Sequence, residues 1–76
     1  MLVKVHRWDA EGNPSRKYPD FEEILVNLEY VVAIFPVAGG QHENVYSRIH
    51  LSDIAAPYHT IHVMEPLSHF MEFEGR

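Results

Sequence analysis

The sequence predicts an α+β domain that is mainly β, with one short helix near its C-terminal end. Three observations lead to this class. Apolar and polar residues alternate over several short segments, as in strands that bury one side. Clusters of Gly, Pro, Asn and Asp separate these segments, as turn formers do between strands. Toward the C-terminal end, apolar residues recur with helical spacing, so the sheet is expected to carry one helix.

A first strand is predicted for residues 2–8, because Val3 and Val5 alternate with polar residues. Trp8 lies on the side opposite to these valines. Residues 9–20 follow and are dense in Gly, Pro, Asn and Ser, which predicts a long loop that we expect to be mobile.

A second strand is predicted to begin at residue 21, but an apolar strand continuing to residue 34 would be far too long. Asn27 is the expected break, because its side chain can accept a backbone N–H two or three residues on. We therefore expect a capped turn or a bulge at residues 27–30, then a strand at 31–35. A structural role for Asn27 is favoured over a binding role. The core candidates of this region are Ile24, Val26, Leu28, Val31 and Ile34.

Two further strands are predicted at residues 45–52 and 58–65, where apolar residues alternate with polar ones. A loop containing Gly39 and Gly40 precedes the first of them and is interpreted as a turn. The predicted inner side carries Val45, Ser47, Ile49, Leu51, Ile61 and Val63. The predicted outer side carries Tyr46, Arg48, His50, Tyr58, Thr60, His62 and Met64.

A short helix is predicted for residues 66–74. Pro66 suits the first helical position and Gly75 suits the position just past the end. Glu65 is interpreted as a charge that favours the helix N-terminus. The apolar stripe of this helix consists of Leu67, Phe70 and Met71. Since so short a helix is marginal alone, we expect that stripe to dock on the sheet. The predicted arrangement is four to five antiparallel strands in a curved sheet or a small SH3-like partial barrel, covered by the helix.

The size of the chain limits its stability. Its 76 residues fit a single domain, 1–76, and such a domain buries only about 60% of the surface that its unfolded chain exposes. The chain contains no cysteine, so neither a disulfide nor a thiolate metal site can stabilise it. We therefore expect self-association into a homo-oligomer.

The charge balance bears on partners and location. Six Lys and Arg against eleven Asp and Glu give a net charge of -5. Excess carboxylates repel phosphates, so direct nucleic-acid binding is not expected. The apolar runs are shorter than the roughly 20 residues of a membrane span, and no signal-peptide pattern is present. These observations predict a cytoplasmic protein without membrane insertion.

Several short motifs occur in a fixed order along the chain. They are Leu25-Val26-Asn27, the Val31-x-x-Ile34 step, Ser47-x-Ile49-x-Leu51, and Ile61-x-Val63-x-Glu65 leading into the helix. In this order the chain resembles the small flagellar-protein family FlbD, also called SwrD, and phage or mobile-element proteins of the same pattern, over residues 24–73. The resemblance implies a small non-enzymatic protein and transfers no catalytic residue.

Six histidines raise the question of a metal site. His59 and His62 point to opposite sides of the predicted strand, so they cannot bind one ion together. His50 and His62 can approach across adjacent strands, with His6 as a third ligand. Surface histidines without metal are the preferred interpretation, because no ligand-spacing motif is present. No nucleophile elbow, phosphate loop or carboxylate pair is present either, so neither an enzyme nor a cofactor is expected.

The outer side of the predicted sheet collects residue types that are enriched at protein interfaces. The predicted contact surface consists of Trp8, Tyr46, Arg48, His50, Tyr58 and His62, with Met64 at its edge. The rival interpretation is a small barrel whose second layer some of these side chains fill.

The favoured function is a non-enzymatic protein-interaction module that forms a homo-oligomer. The alternative is a phage or mobile-element inhibitor that blocks a host protein by presenting carboxylates, and a histidine metal-binding protein is a weaker alternative. The carboxylates considered for the inhibitor are Glu22, Glu23, Glu43 and Glu72.

Overall fold

A computed structural model describes residues 1–37, 43–52 and 59–72. These residues form one five-stranded antiparallel sheet and one short helix, so the predicted α+β, mainly β class is confirmed. The elements are β1 (Leu2–Trp8), β2 (Phe21–Asn27), a 3₁₀ turn (Leu28–Tyr30), β3 (Val31–Pro36), β4 (Ser47–Leu51), β5 (Thr60–Val63) and α1 (Leu67–Met71).

The strand order of the sheet is β2-β1-β5-β4-β3. Strands that are neighbours in sequence also pair in the sheet, with the exception of β2 and β3. These two strands follow one another across the 3₁₀ turn, yet within the described residues they form the two opposite edges of the sheet. The sheet is therefore open, and its two edges meet in sequence at residues 28–30.

The core lies on the side of the sheet that the alternating pattern predicted. Its buried members are Val3, Val5, Val26, Ile49, Ile61, Val63 and Phe70. Of the core candidates around Asn27, only Val26 is buried, while Ile24, Leu28, Val31 and Ile34 are partly buried and pack against the core. Ser47 is fully buried on the same side, as its position in the pattern predicted.

Asn27 caps the 3₁₀ turn, as its position between two strands predicted. Its Oδ1 accepts a hydrogen bond from the Glu29 backbone N–H at 3.0 Å. An Asn side chain bound in this way satisfies an amide that the turn leaves without a backbone partner. The pairing of β3 with β4 then shifts register between Val31 and Ala33, so this region contains both a capped turn and a bulge.

The loop at residues 9–20 is held by hydrogen bonds that its composition did not predict. The Asp9 backbone N–H donates to the Asp20 carbonyl at 2.8 Å, which closes the base of the loop. Gly12 has a φ of 67°, a conformation that favours glycine. Arg16 Nη1 lies 2.8 Å from Asp9 Oδ2. This hydrogen bond, with that from the Glu11 backbone N–H, lowers the pKa of Asp9.

The C-terminal helix is shorter than predicted and begins one residue later. Pro66 has a ψ of 169°, which is extended, so it precedes the helix instead of occupying its first position. Five residues make little more than one turn and can bury only one direction of side chains. Accordingly Phe70 is buried, whereas Met71 is 64% exposed, so the prediction that Met71 docks on the sheet is wrong. Gly75 lies outside the described residues.

Two strands are also shorter than predicted. β4 begins at Ser47 and β5 ends at Val63. Tyr46 still donates its backbone N–H to the Val63 carbonyl at 3.0 Å, and Met64 donates to the His6 carbonyl at 2.9 Å. The described residues include no helix long and apolar enough to cross a membrane.

Candidate protein-interaction surface

The outer face is the side of the sheet opposite the hydrophobic core. The structure places five of the six predicted contact residues on this side or at its margin. Trp8 ends β1, Arg48 and His50 lie on β4, His62 lies on β5, and Tyr46 directly precedes β4. Arg48 is paired with His62 across the β4–β5 ladder, so these two side chains share a face. Tyr58 lies outside the described residues.

Phe35 belongs to this surface and was missed by sequence reasoning. It lies on β3 directly opposite Arg48, and the Arg48 guanidinium carbon is 5.2 Å from the centre of the Phe35 ring. The His50 ring lies 4.9 Å from the same ring. The segment 31–36 is apolar nearly throughout, so alternation gave no signal. The sequence could still have indicated this residue, because successive side chains of a strand point to opposite sides. Phe35 must therefore face outward if Ile34 faces the core.

Arg48 differs from the other arginines of the described part of the chain. Arg7 lies 3.5 Å from a Glu22 oxygen, and Arg16 lies 2.8 Å from an Asp9 oxygen. Among the described residues Arg48 has no ion pair, and its buried Nε has no hydrogen-bond partner. A guanidinium stacked on an aromatic ring is already oriented, so it can bind an incoming carboxylate with little further ordering.

His62 reports the electrostatics of the same region. Burial lowers the pKa of His62, and the nearby Arg48 and His50 lower it further. A positive neighbour disfavours the imidazolium, as does loss of solvent. The centre of the outer face is therefore locally positive on a chain whose net charge is -5.

Trp8 and His62 are brought together at one end of this surface. They lie along a cleft of about 320 Å³ whose lining residues are Arg7, Trp8, Ala10, Thr60, Ile61 and His62. Tyr46 is 49% exposed beside β4. The surface thus offers an exposed aromatic side chain, an arginine that forms no ion pair with any described residue, and a cleft.

Part of the β1–β2 half of the outer face is covered by a second layer of packing, although Lys4, Glu23 and Leu25 remain exposed on it. Phe21 is buried on this side, and the Tyr18 ring meets the His6 ring edge-on at 5.3 Å. Glu65 completes the layer, because its Oε1 accepts from the His6 backbone N–H at 2.8 Å and its Oε2 lies 2.7 Å from His6 Nδ1. These side chains are not among the six predicted contact residues, and the described sheet is open, so this layer differs from the barrel layer of the rival interpretation.

The same contacts correct the role predicted for Glu65. The first turn of α1 contains no acidic residue, and no side chain caps it. The Glu65 carboxylate instead holds β1 through both of its oxygens. The signal for this role was not local, because His6 lies 59 positions away in the sequence.

The five histidines that the structure describes are not gathered into one cluster. Across β4 and β5, His50 faces Thr60, so His50 and His62 are diagonal neighbours. His6, proposed as a third ligand, already uses Nδ1 on Glu65. No group of three or more His, Cys, Asp or Glu side chains suited to a metal ion occurs in the parts of the chain that the structure describes.

Two of the four carboxylates considered for an inhibitor are engaged within the chain. Glu22 contacts Arg7 and Arg16, and Glu23 contacts Lys4 and His6. Glu43 and Glu72 are exposed.

No family model, curated protein or solved structure matches the chain. The resemblance to the FlbD/SwrD family therefore stays a prediction.

Proposed function

We propose that the protein is a non-enzymatic interaction module that self-associates and binds a partner protein through the β4–β5 half of its outer face. The observation that carries this proposal is the stacking of Arg48 on Phe35, on the same half of the face as the exposed Tyr46. Stacked arginine and exposed tyrosine are side chains that dominate binding energy at protein interfaces. Part of the β1–β2 half of the face is already covered by the chain itself.

The test is a comparison of two tyrosine variants. The wild-type chain is immobilised, a protein retained from an extract of the source organism is identified and purified, and its affinity is measured by calorimetry. Tyr46→Ala is expected to weaken binding about tenfold, which corresponds to about 1.4 kcal/mol. Tyr30→Ala is the matched control, because Tyr30 is also exposed but lies in the 3₁₀ turn. Equal affinities for the wild type and both variants would contradict the proposed surface.

A further inference from the structure

The free edge of β3 presents backbone groups that an added strand can pair. Val37 donates its backbone N–H to the Tyr46 carbonyl at 3.0 Å, so the backbone groups of Val37 and of Phe35, two residues earlier, point toward β4. Because these groups alternate in direction along an antiparallel pair, the N–H and C=O of Ile34 point to the opposite side. Within the described residues no strand lies there. Ile34 therefore offers one donor and one acceptor at the edge of the sheet.

This edge lacks the protection that edge strands usually carry. Natural edges are shielded by charged side chains, and β2 at the other edge contains Glu22 and Glu23. By contrast, β3 contains no charged residue and has only Pro36 at its end. Val32 on β3 is 71% exposed. The β3 edge therefore resembles the exposed edges to which extended peptide segments add as an extra strand.

An apolar groove lies on the core side of this edge. It has a volume of about 260 Å³, and it is lined by Ile34, Leu67, Phe70 and Met71. Met71 is 64% exposed, so the described residues leave this side of the groove uncovered. A strand added to β3 places the side chain opposite Ile34 on the same side of the sheet, where the groove begins. That side chain is therefore expected to be apolar.

Arg48 lies on the outer side of the same edge. Its guanidinium carbon is 5.2 Å from the centre of the Phe35 ring, so its charge stands above the edge strand. Among the described residues Arg48 has no ion pair, and its buried Nε has no hydrogen-bond partner. A strand added at about 4.8 Å from β3 places the side chain opposite Phe35 within reach of this guanidinium. Since a carboxylate matches a guanidinium in charge and geometry, that side chain is expected to be acidic.

We propose that the partner contributes an extended segment that adds to β3 as an extra strand, with an acidic residue on Arg48 and the adjacent apolar residue in the groove beside Ile34. This rests on the proposed function, because it names the part of the partner that is bound. Successive side chains of a strand point to opposite sides, so neighbouring acidic and apolar residues meet both features in either strand direction. The net charge of -5 would by itself favour a cationic segment, so a preference for an acidic one is specific to this edge.

Peptide binding tests this proposal without the partner protein. Two end-blocked peptides of about seven residues are compared, one alternating glutamate with valine and the other alternating lysine with valine. Binding is followed by NMR, including the hydrogen exchange of the Ile34 amide. The glutamate peptide is expected to slow that exchange and to bind at least about tenfold more tightly than the lysine peptide. A glutamate peptide that binds no better than the lysine peptide, or that leaves the Ile34 exchange unchanged, would overturn the proposal.

Two variants assign the binding to the named contacts. Arg48→Gln is expected to abolish the preference for the glutamate peptide, whereas Lys17→Gln, at an exposed position of the loop, should keep it. Met71→Asn places a polar group at the groove and is expected to weaken both peptides about threefold. Leu25→Asn is its matched control, because Leu25 is equally exposed but lies on β2. A preference that survives Arg48→Gln would overturn the acidic contact.

Other occupants of the edge give different results. If a second copy of the chain covers β3, the Ile34 amide of the free chain is protected at high concentration and loses this protection on dilution. If the chain covers its own edge, that amide is protected at every concentration. Either result overturns the proposal. The Tyr46 comparison uses the partner protein, so equal affinities there would reject the proposed surface and leave the peptide result intact, and the two proposals fail separately.

Discussion

Ser47 is a polar residue in a fully buried position, and its hydroxyl has no hydrogen-bond partner among the described residues. A buried hydroxyl without a partner costs about 1–3 kcal/mol. Ser47→Ala removes the hydroxyl and little volume, so the free energy of unfolding is expected to rise by about 1 kcal/mol in urea titrations. Ser68→Ala, at an exposed position, serves as the control. A loss of stability in Ser47→Ala would mean that the hydroxyl is bonded in solution.

The environment of His62 leads to a prediction about how the stability of the fold depends on pH. Because its pKa is lowered in the folded protein, the unfolded chain takes up the proton first as the pH falls. Its contribution to stability is therefore present above the ordinary pKa of 6.5 and is lost as the pH falls from there to the folded pKa. In an NMR titration the midpoint of His62 is expected below 6.5. Arg48→Gln should raise that midpoint without restoring it fully, since burial is the larger cause.

The control for this titration is Lys17→Gln, which removes a positive charge from the exposed loop and should leave the midpoint unchanged. If Arg48→Gln also left it unchanged, the positive environment assigned to the centre of the outer face would be wrong.

For this site, the sequence could predict which side of the sheet each residue lies on. Alternation placed Arg48, His50 and His62 outward because each has an aliphatic neighbour that the core requires. The outward position of Phe35 was not predicted, because the residues of β3 are apolar on both sides of the strand. That Arg48 has no ion pair within the described part of the chain was also not predictable, since this depends on which carboxylates the fold brings near.

At the scale of elements, Glu65 joins the segment between β5 and α1 to β1. Glu65→Ala removes the acceptor of a partly buried backbone N–H and of the His6 ring, so the free energy of unfolding is expected to fall by about 1.5–3 kcal/mol. Glu65→Gln keeps an amide oxygen as acceptor and should lose less. Urea unfolding measures both, and Glu72→Ala is the exposed control. If Glu65→Ala unfolded at the control's midpoint, the carboxylate would not hold these elements together.

The bounds of an element could be predicted where they depend on residues that are close together in the sequence. β1 has the predicted bounds because alternating valines are followed by a dense group of turn formers, and Asn27 caps a turn because its side chain reaches only nearby amides. The helix was predicted too long because the sequence pattern of residues 66–74 does not show how many turns can rest on the sheet. The order of the loop at 9–20 was not predicted, because its stabilising contacts, such as that of Arg16 with Asp9, join residues with no periodic pattern.

For the whole molecule, the class of fold was predictable but the strand order was not. Antiparallel neighbours joined by short loops explain β3, β4 and β5 in sequence. The pairing of β1 with β5, and the separation of β2 from β3, depend on contacts between distant parts of the chain. The identity of the two edge strands, β2 and β3, could therefore be obtained only from the structure.

The most direct test of the proposed contact surface uses Arg48, whose guanidinium is stacked on the Phe35 ring. Arg48→Gln removes the positive charge and the stacking, and its affinity for the retained partner protein is measured by calorimetry. Lys17→Gln, which removes a positive charge from the exposed loop, is the control.

The account predicts that Arg48→Gln weakens the affinity for the partner about tenfold, while Lys17→Gln binds like the wild type. Equal affinities for the wild type and Arg48→Gln would contradict the account.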